Sequence, residues 1–109
     1  MTGEILNPGM LPVLEKLPGW RGRLFHSATM TFGYWDFDAG SSIHEHFHEQ
    51  EEVWHLIEGE VEITISGETH RAGAGTVAIV PGNSRHSVKA LSNGKAIVVD
   101  CPLRKDFAP

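Results

Sequence analysis

From residue 24 to residue 100 the chain is a succession of short segments rich in β-branched and aromatic residues, each cut off by Gly, Asn or Ser. That punctuation decides the fold class. The segments are 24–30, 31–37, the histidine-bearing stretch after the turn at 38–42, then 53–57, 61–65, 68–71, 76–80, 86–91 and 95–100. Val61-Glu-Ile-Thr-Ile65 alternates strictly, which puts Val61, Ile63 and Ile65 on one buried face. Ser66-Gly67 and Asn93-Gly94 read as hairpin turns. About eight or nine strands, and no segment of helical period, predict an all-β antiparallel sandwich or barrel.

Ahead of these strands, residues 1–22 hold Pro8, Pro12 and Pro18 with four glycines, a density of breakers that forbids a long helix. Leu11, Val13, Leu14, Leu17 and Trp20 are nevertheless apolar. The expected division is therefore an N-terminal arm over 1–22, packed on the barrel or on a partner subunit, and a barrel over 23–109. Such an arm and the open edges of a sandwich favour a homodimer.

A chain of 109 residues with 40% hydrophobic and 21% charged residues is one ordinary globular domain. Cys101 is the only cysteine, so no disulfide framework is available, which fits a reducing compartment. The start, Met-Thr-Gly-Glu-Ile-Leu-Asn-Pro, lacks the basic and apolar regions of a signal peptide. No apolar run approaches the roughly 20 residues of a membrane helix. A net charge of −5 with no Lys/Arg cluster argues against nucleic acid and anionic membrane as partners. The expected location is the cytoplasm and the expected partner a small molecule.

The chemistry gathers at His44-Glu-His46-Phe-His48. In an extended segment the three imidazoles share a face. With a carboxylate a few residues on, they make the ligand set of a divalent metal, and His86 is a fourth histidine downstream. His26, His55 and His70 have no such pairing and read as surface or structural groups. Phe32, Tyr34 and Trp54 are candidates to line the barrel, with Trp35 and Phe37 of opposite parity. Cys101 lacks the electropositive surroundings of a nucleophile, and no Gly-x-Ser-x-Gly, P-loop or dinucleotide fingerprint is present.

The spacing of these residues resembles the cupin superfamily. Its first motif runs Gly, five residues, His-x-His, three or four residues, Glu, six residues, Gly; Gly40, His46, His48, Glu52 and Gly59 fill it. Its second runs Gly, five residues, Pro-x-Gly, two residues, His, three residues, Asn. Gly75, Pro81 and His86 match, while Asn83 replaces the second glycine and Ala90 the asparagine. The resemblance implies a small single-domain cupin, an antiparallel double-stranded β-helix of the jelly-roll type. It also implies a metal held by His46, His48, Glu52 and His86. A second register, His44/His46 with Glu51, satisfies a four-residue spacing but puts Gly40 and Gly59 out of step. In the preferred register His44 stands beside the site. Mn, Fe or Ni are favoured, with Zn, Cu and Co also compatible with the ligands.

The run Pro102-Leu-Arg104-Lys-Asp106-Phe107 is similar to the tail of small pectin-degradation cupins that linearise unsaturated uronates. On that alignment Arg104 binds a carboxylate, for which its bidentate geometry is suited. The catalytic aspartate position falls on Val98, however, and the aromatic position on Asp100. What carries over is the fold and metal site, not that activity. The implied function is a metal-dependent enzyme, a dioxygenase or an isomerase/lyase, acting on a small polar or carboxylated molecule. His44, Asp100 and Arg104 are the catalytic candidates, the first two for proton transfer. The alternative is a cupin that binds or senses a sugar or sugar acid without turnover.

Overall fold

The computed structural model describes residues 3–105. Ten strands build two antiparallel sheets: β1 (Leu14–Leu17), β2 (Trp20–His26), β3 (Thr31–Phe37), β4 (Ser42–His46), β5 (Glu51–Glu58), β6 (Glu60–Ile65), β7 (Glu68–Gly73), β8 (Val77–Val80), β9 (His86–Ala90) and β10 (Gly94–Cys101). The six-stranded sheet runs β1-β2-β3-β10-β5-β8 and the four-stranded sheet β4-β9-β6-β7. A 3-10 turn, Pro8–Met10, precedes the strands. Three expected features of the ends, Met1-Thr2 of the arm and Asp106 and Phe107 of the tail pattern, lie outside the described residues.

Alternation builds the core. Val61 and Ile63 on β6 point inward, as do Trp54 and Leu56 on β5 and Ala96 and Val98 on β10, closing on Trp20, Phe37, Val80 and Val88. Ser66 and Gly67 both have positive φ (50° and 81°), the conformation of a tight two-residue turn between β6 and β7.

Three local readings change. The tenth strand, β1, lies inside the segment expected as an arm and pairs with β2 through a turn at Gly19, whose φ is 85°. Trp20, also in that segment, opens β2 and is 1% exposed. β2 ends at His26 because the Ser27 hydroxyl accepts from Thr29 N–H (3.3 Å) and Met30 N–H (3.0 Å), a side-chain turn that strand propensity conceals. Asn93-Gly94 is a corner rather than a hairpin, since β9 and β10 belong to different sheets. There the Asn93 side chain accepts from Ala39 N–H at 2.8 Å.

The two outer faces differ. Across the six-stranded sheet Phe25, Phe32, Val99, Val53 and Ile79 stand in one register row. Across the four-stranded sheet the rows are Thr69, Thr64, Ser87 and Arg71, Glu62, Lys89.

Candidate metal centre

Four side chains converge at one end of the sandwich. His46 ends β4 and stands opposite His86, which opens β9 in the same sheet. His48 lies two residues beyond the end of β4, so the row of histidines is strand only as far as His46. Glu52 comes from the other sheet, on β5. One candidate ligand atom from each of the four lies within 4.8 Å of all the others. Two imidazoles approach the same carboxylate oxygen: His86 Nε2 is 2.9 Å and His48 Nε2 3.5 Å from Glu52 Oε2.

The backbone aims the rings. His46 Nδ1–H donates to the His44 carbonyl (2.8 Å), His48 Nδ1–H to the Gln50 carbonyl (3.1 Å) and His86 Nδ1–H to the Ser84 carbonyl (2.8 Å). A carbonyl only accepts, so the network assigns the proton to Nδ1 in each neutral ring and leaves a lone pair on Nε2. His48 Nε2, His86 Nε2 and Glu52 Oε2 are buried, and despite their proximity none has a partner in hydrogen-bond geometry. Orphaned polar atoms facing one another at this range are costly unless something sits between them. Three imidazole nitrogens and a carboxylate oxygen are the donors a first-row divalent ion takes, and second-shell carbonyls on Nδ1 are how such ligands are held. The residues present therefore fit a metal ion.

Electrostatics agree. Burial pushes the Glu52 carboxyl up, but His48 and His86 outweigh it and hold the group well below the usual carboxylate range. His86 is lowered by burial, yet contact with Glu52 leaves it net above the ordinary imidazole value. His46, whose largest influence is burial, is shifted down. An ionised carboxylate among imidazoles is a place for positive charge, which a proton or a cation can supply.

The remaining candidates divide by position. His44 is exposed on β4, its ring centroid 5.9 Å from that of His46. Glu51 is exposed on the opposite face of β5 from Glu52. Asp100 is buried and pairs in register with Glu52 on one side and Thr31 on the other. Arg104 is 8% exposed, with Nη1 3.9 Å from Asp100 Oδ2.

Sequence reasoning missed what brings Arg104 there. Its backbone N–H donates to the Thr31 hydroxyl (2.8 Å), which also bonds His26 Nδ1 (2.8 Å), and Gln50 Nε2–H donates to the Leu103 carbonyl (2.9 Å). Parity held a signal, because Thr31, Asp100 and Glu52 occupy one inward row.

A cavity of about 440 Å³ opens beside the cluster, within the range of small-ligand sites. His44, His46, Glu52, Asp100 and Arg104 line one part of it, and Trp20, Trp35 and Trp54 are in its walls. The parity expected for β3 is reversed. Trp35 and Phe37 face inward with Thr31 and Gly33, while Phe32 and Tyr34 face outward against Phe25, at centroid distances of 4.9 and 5.8 Å. Alternation marks two faces without saying which is inside; here a residue without a side chain, Gly33, makes room for the inner indole.

Residues 33–102 match the family model of the cupin domain (Cupin_2). The uncharacterized protein SCO3923 of Streptomyces coelicolor is 30% identical over 70 residues, covering 64% of this chain and 67% of that protein. Among solved structures, KdgF from Halomonas sp. superposes with a TM-score of 0.89 at 23% identity, over 97% of this chain and 99% of that one. An RmlC-like cupin from Shewanella frigidimarina gives 0.89 at 20% identity, over 98% and 97%. At these identities the structural likeness speaks for the fold, and the match over residues 33–102 for the family. The chain belongs to the cupin family.

Proposed function

We propose that this protein is a metal-dependent enzyme acting on a small carboxylated molecule. The observation that carries the reading is the set of three imidazoles, each pinned through Nδ1, facing the Glu52 carboxylate at the wall of a cavity that also holds Asp100 and Arg104. His46, His48, Glu52 and His86 are the ligands. Mn, Fe and Ni are favoured over Zn, Cu and Co, since Zn more often closes its shell at four ligands. When bound, the ion supplies Lewis-acid polarisation of a carbonyl or enol oxygen, or a place where substrate and oxygen meet.

The chain's own groups do the rest. Arg104 binds the substrate carboxylate. Asp100, cross-strand from Glu52 and inside the cavity, takes and returns a proton at a substrate carbon, the step an isomerase or lyase requires. His44, exposed and among the residues lining the cavity, serves as the exchange partner with solvent. Elemental analysis of protein purified without added metal is the first test; no bound ion and no uptake on addition overturns the reading. Proton exchange from substrate carbon into deuterated water separates the isomerase/lyase branch from the dioxygenase branch, which consumes oxygen instead. Binding without either leaves a non-catalytic binder.

We also propose a homodimer, formed through the outer face of the six-stranded sheet. Tyr34, Ile57, Val77 and Ile79 are 37, 41, 54 and 60% exposed there. With the half-buried Phe25, Phe32, Val53 and Val99 they make one apolar band across the sheet, the kind of exposed patch that marks an interaction surface. Light scattering during gel filtration tests it, and a monomer mass refutes it. Among the described residues no helix is long and apolar enough to cross a membrane; cytoplasmic location remains our proposal.

A further inference from the structure

Trp35 differs from the other two tryptophans of the cavity. Trp20 and Trp54 are 1% and 4% exposed, whereas Trp35 is only half-buried. Its indole lies on two glycines. A Cβ at Gly22, the cross-strand partner of Trp35, would come within 2.6–2.8 Å of three atoms of the six-membered ring. One at Gly33 would overlap Nε1 and lie 3.1 Å from Cδ1. Neither glycine has positive φ, so the backbone does not require them. Glycine in a strand interior weakens the strand and marks a place where something approaches closely. Here that something is the indole of Trp35, which packs against the core and also borders the cavity.

From these observations we infer that Trp35 is a stacking platform, and that the ligand of this cavity carries a planar, conjugated ring next to its carboxylate. Gly33 is one pleat, about 7 Å, from Thr31 along β3, and the hydroxyl of Thr31 holds the backbone of Arg104. A ring on the platform with a carboxylate at Arg104 spans that step. Leu17, Leu24, Ile43 and Val98 form the aliphatic part of the lining, while Lys16 and Thr31 join the polar groups already described. A hydroxyl set against the aliphatic part would lack a partner, and an unsatisfied buried hydroxyl is costly. A flat apolar ring has no such demand there and matches the π face of the indole.

The inference rests on the carboxylate reading of the site, and the test separates the two. Benzoate, cyclohexanecarboxylate and benzamide are titrated by calorimetry against the full chain of measured metal content. Benzoate is expected to bind roughly fivefold more tightly than its saturated analogue. That preference should vanish in Trp35→Leu and fall in Gly33→Ala, which displaces the indole without altering it, while metal content stays unchanged. Quenching of tryptophan fluorescence by benzoate should disappear with the Trp35→Leu preference. Equal affinity for the two acids, or a preference that survives both variants, overturns the platform and spares the carboxylate reading. Benzamide binding as tightly as benzoate with the same Trp35 dependence overturns the carboxylate reading and spares the platform. Binding of none of the three overturns both.

Discussion

On its outer face the four-stranded sheet sets Arg71, Glu62 and Lys89 in one row and Thr69, Thr64 and Ser87 in the next. The six-stranded sheet, built from the same alternation, sets Phe25, Phe32, Val99, Val53 and Ile79 side by side. An antiparallel sheet with one solvated face shows apolar-in, polar-out alternation; the smaller sheet follows it in both rows, whereas the larger does so only toward one end, at Arg21, Asp36, Lys95 and Glu58. The inner faces divide too. The smaller sheet and its adjoining loop bring three neutral nitrogen donors, oriented by backbone carbonyls. The larger brings Glu52, Asp100, Thr31 and the tryptophans, so charge and pocket shape come from it. On the proposed reading, the smaller sheet and its loop supply three of the ion's four ligands, and the larger sheet meets a ligand on its inner face and a partner subunit on its outer face.

Substitutions can break that contrast, beginning with the largest effect. His86→Ala removes a donor from the smaller sheet and is expected to weaken metal binding by at least about 100-fold, read as metal content after dialysis with the strand signal in circular dichroism retained. Glu52→Gln removes the carboxylate that the larger sheet contributes to the four-residue cluster and keeps its shape. It should weaken binding by roughly 10- to 100-fold, measured by competition with a chelator. In the metal-free protein it should also change the pH dependence of stability. The raised pKa of His86 contributes stability that is complete below the ordinary imidazole value near 6.5 and is lost as pH rises through the raised value. The lowered pKa of Glu52 contributes stability that is present above the ordinary carboxylate range and is lost only in strong acid, as pH falls through the lowered value. The part of the metal-free protein's stability that comes from the His86–Glu52 contact should therefore fall as pH rises past the ordinary imidazole value, against the opposite trend set by the lowered pKa of His46, and Glu52→Gln should remove that part.

Outside the site, Val99→Glu puts a charge in the middle of the apolar row and should shift the protein from dimer to monomer in light scattering. Thr64→Glu, at the corresponding place on the other sheet, should leave the mass unchanged. The smallest effect is expected for Ser87→Ala, within about 0.5 kcal/mol of wild type in denaturant melts.

The convergence of the four residues was legible because most of its spacing is local: His46, His48 and Glu52 fall within seven residues, and His86 follows a turn marked by Pro81. Strands with one clearly apolar face, such as Val61–Ile65, were legible by alternation. β1 was not, since Leu14, Glu15 and Lys16 are all exposed and the strand exists by pairing with β2, without a buried face of its own. The face of β3 was misread for a related reason. Phe32 and Tyr34 are as apolar as Trp35 and Phe37, and the decision rests on neighbours in β2 and β10 that a single sequence does not rank. The tail shows the same limit: Arg104 reaches the cavity through Thr31 and Gln50, 73 and 53 residues away from their partners.

Glu52 reaches the cluster from one sheet, and His46, His48 and His86 reach it from the other sheet and its adjoining loop, and Cys101 leaves the chain with no cross-link of its own. An ion bound by all four would rivet the open end of the two layers together. The work needed to part them there would then include the free energy of releasing the ion, and would grow with the logarithm of its free concentration. Metal supply in the surroundings would set the stiffness of the very rim through which a ligand must pass.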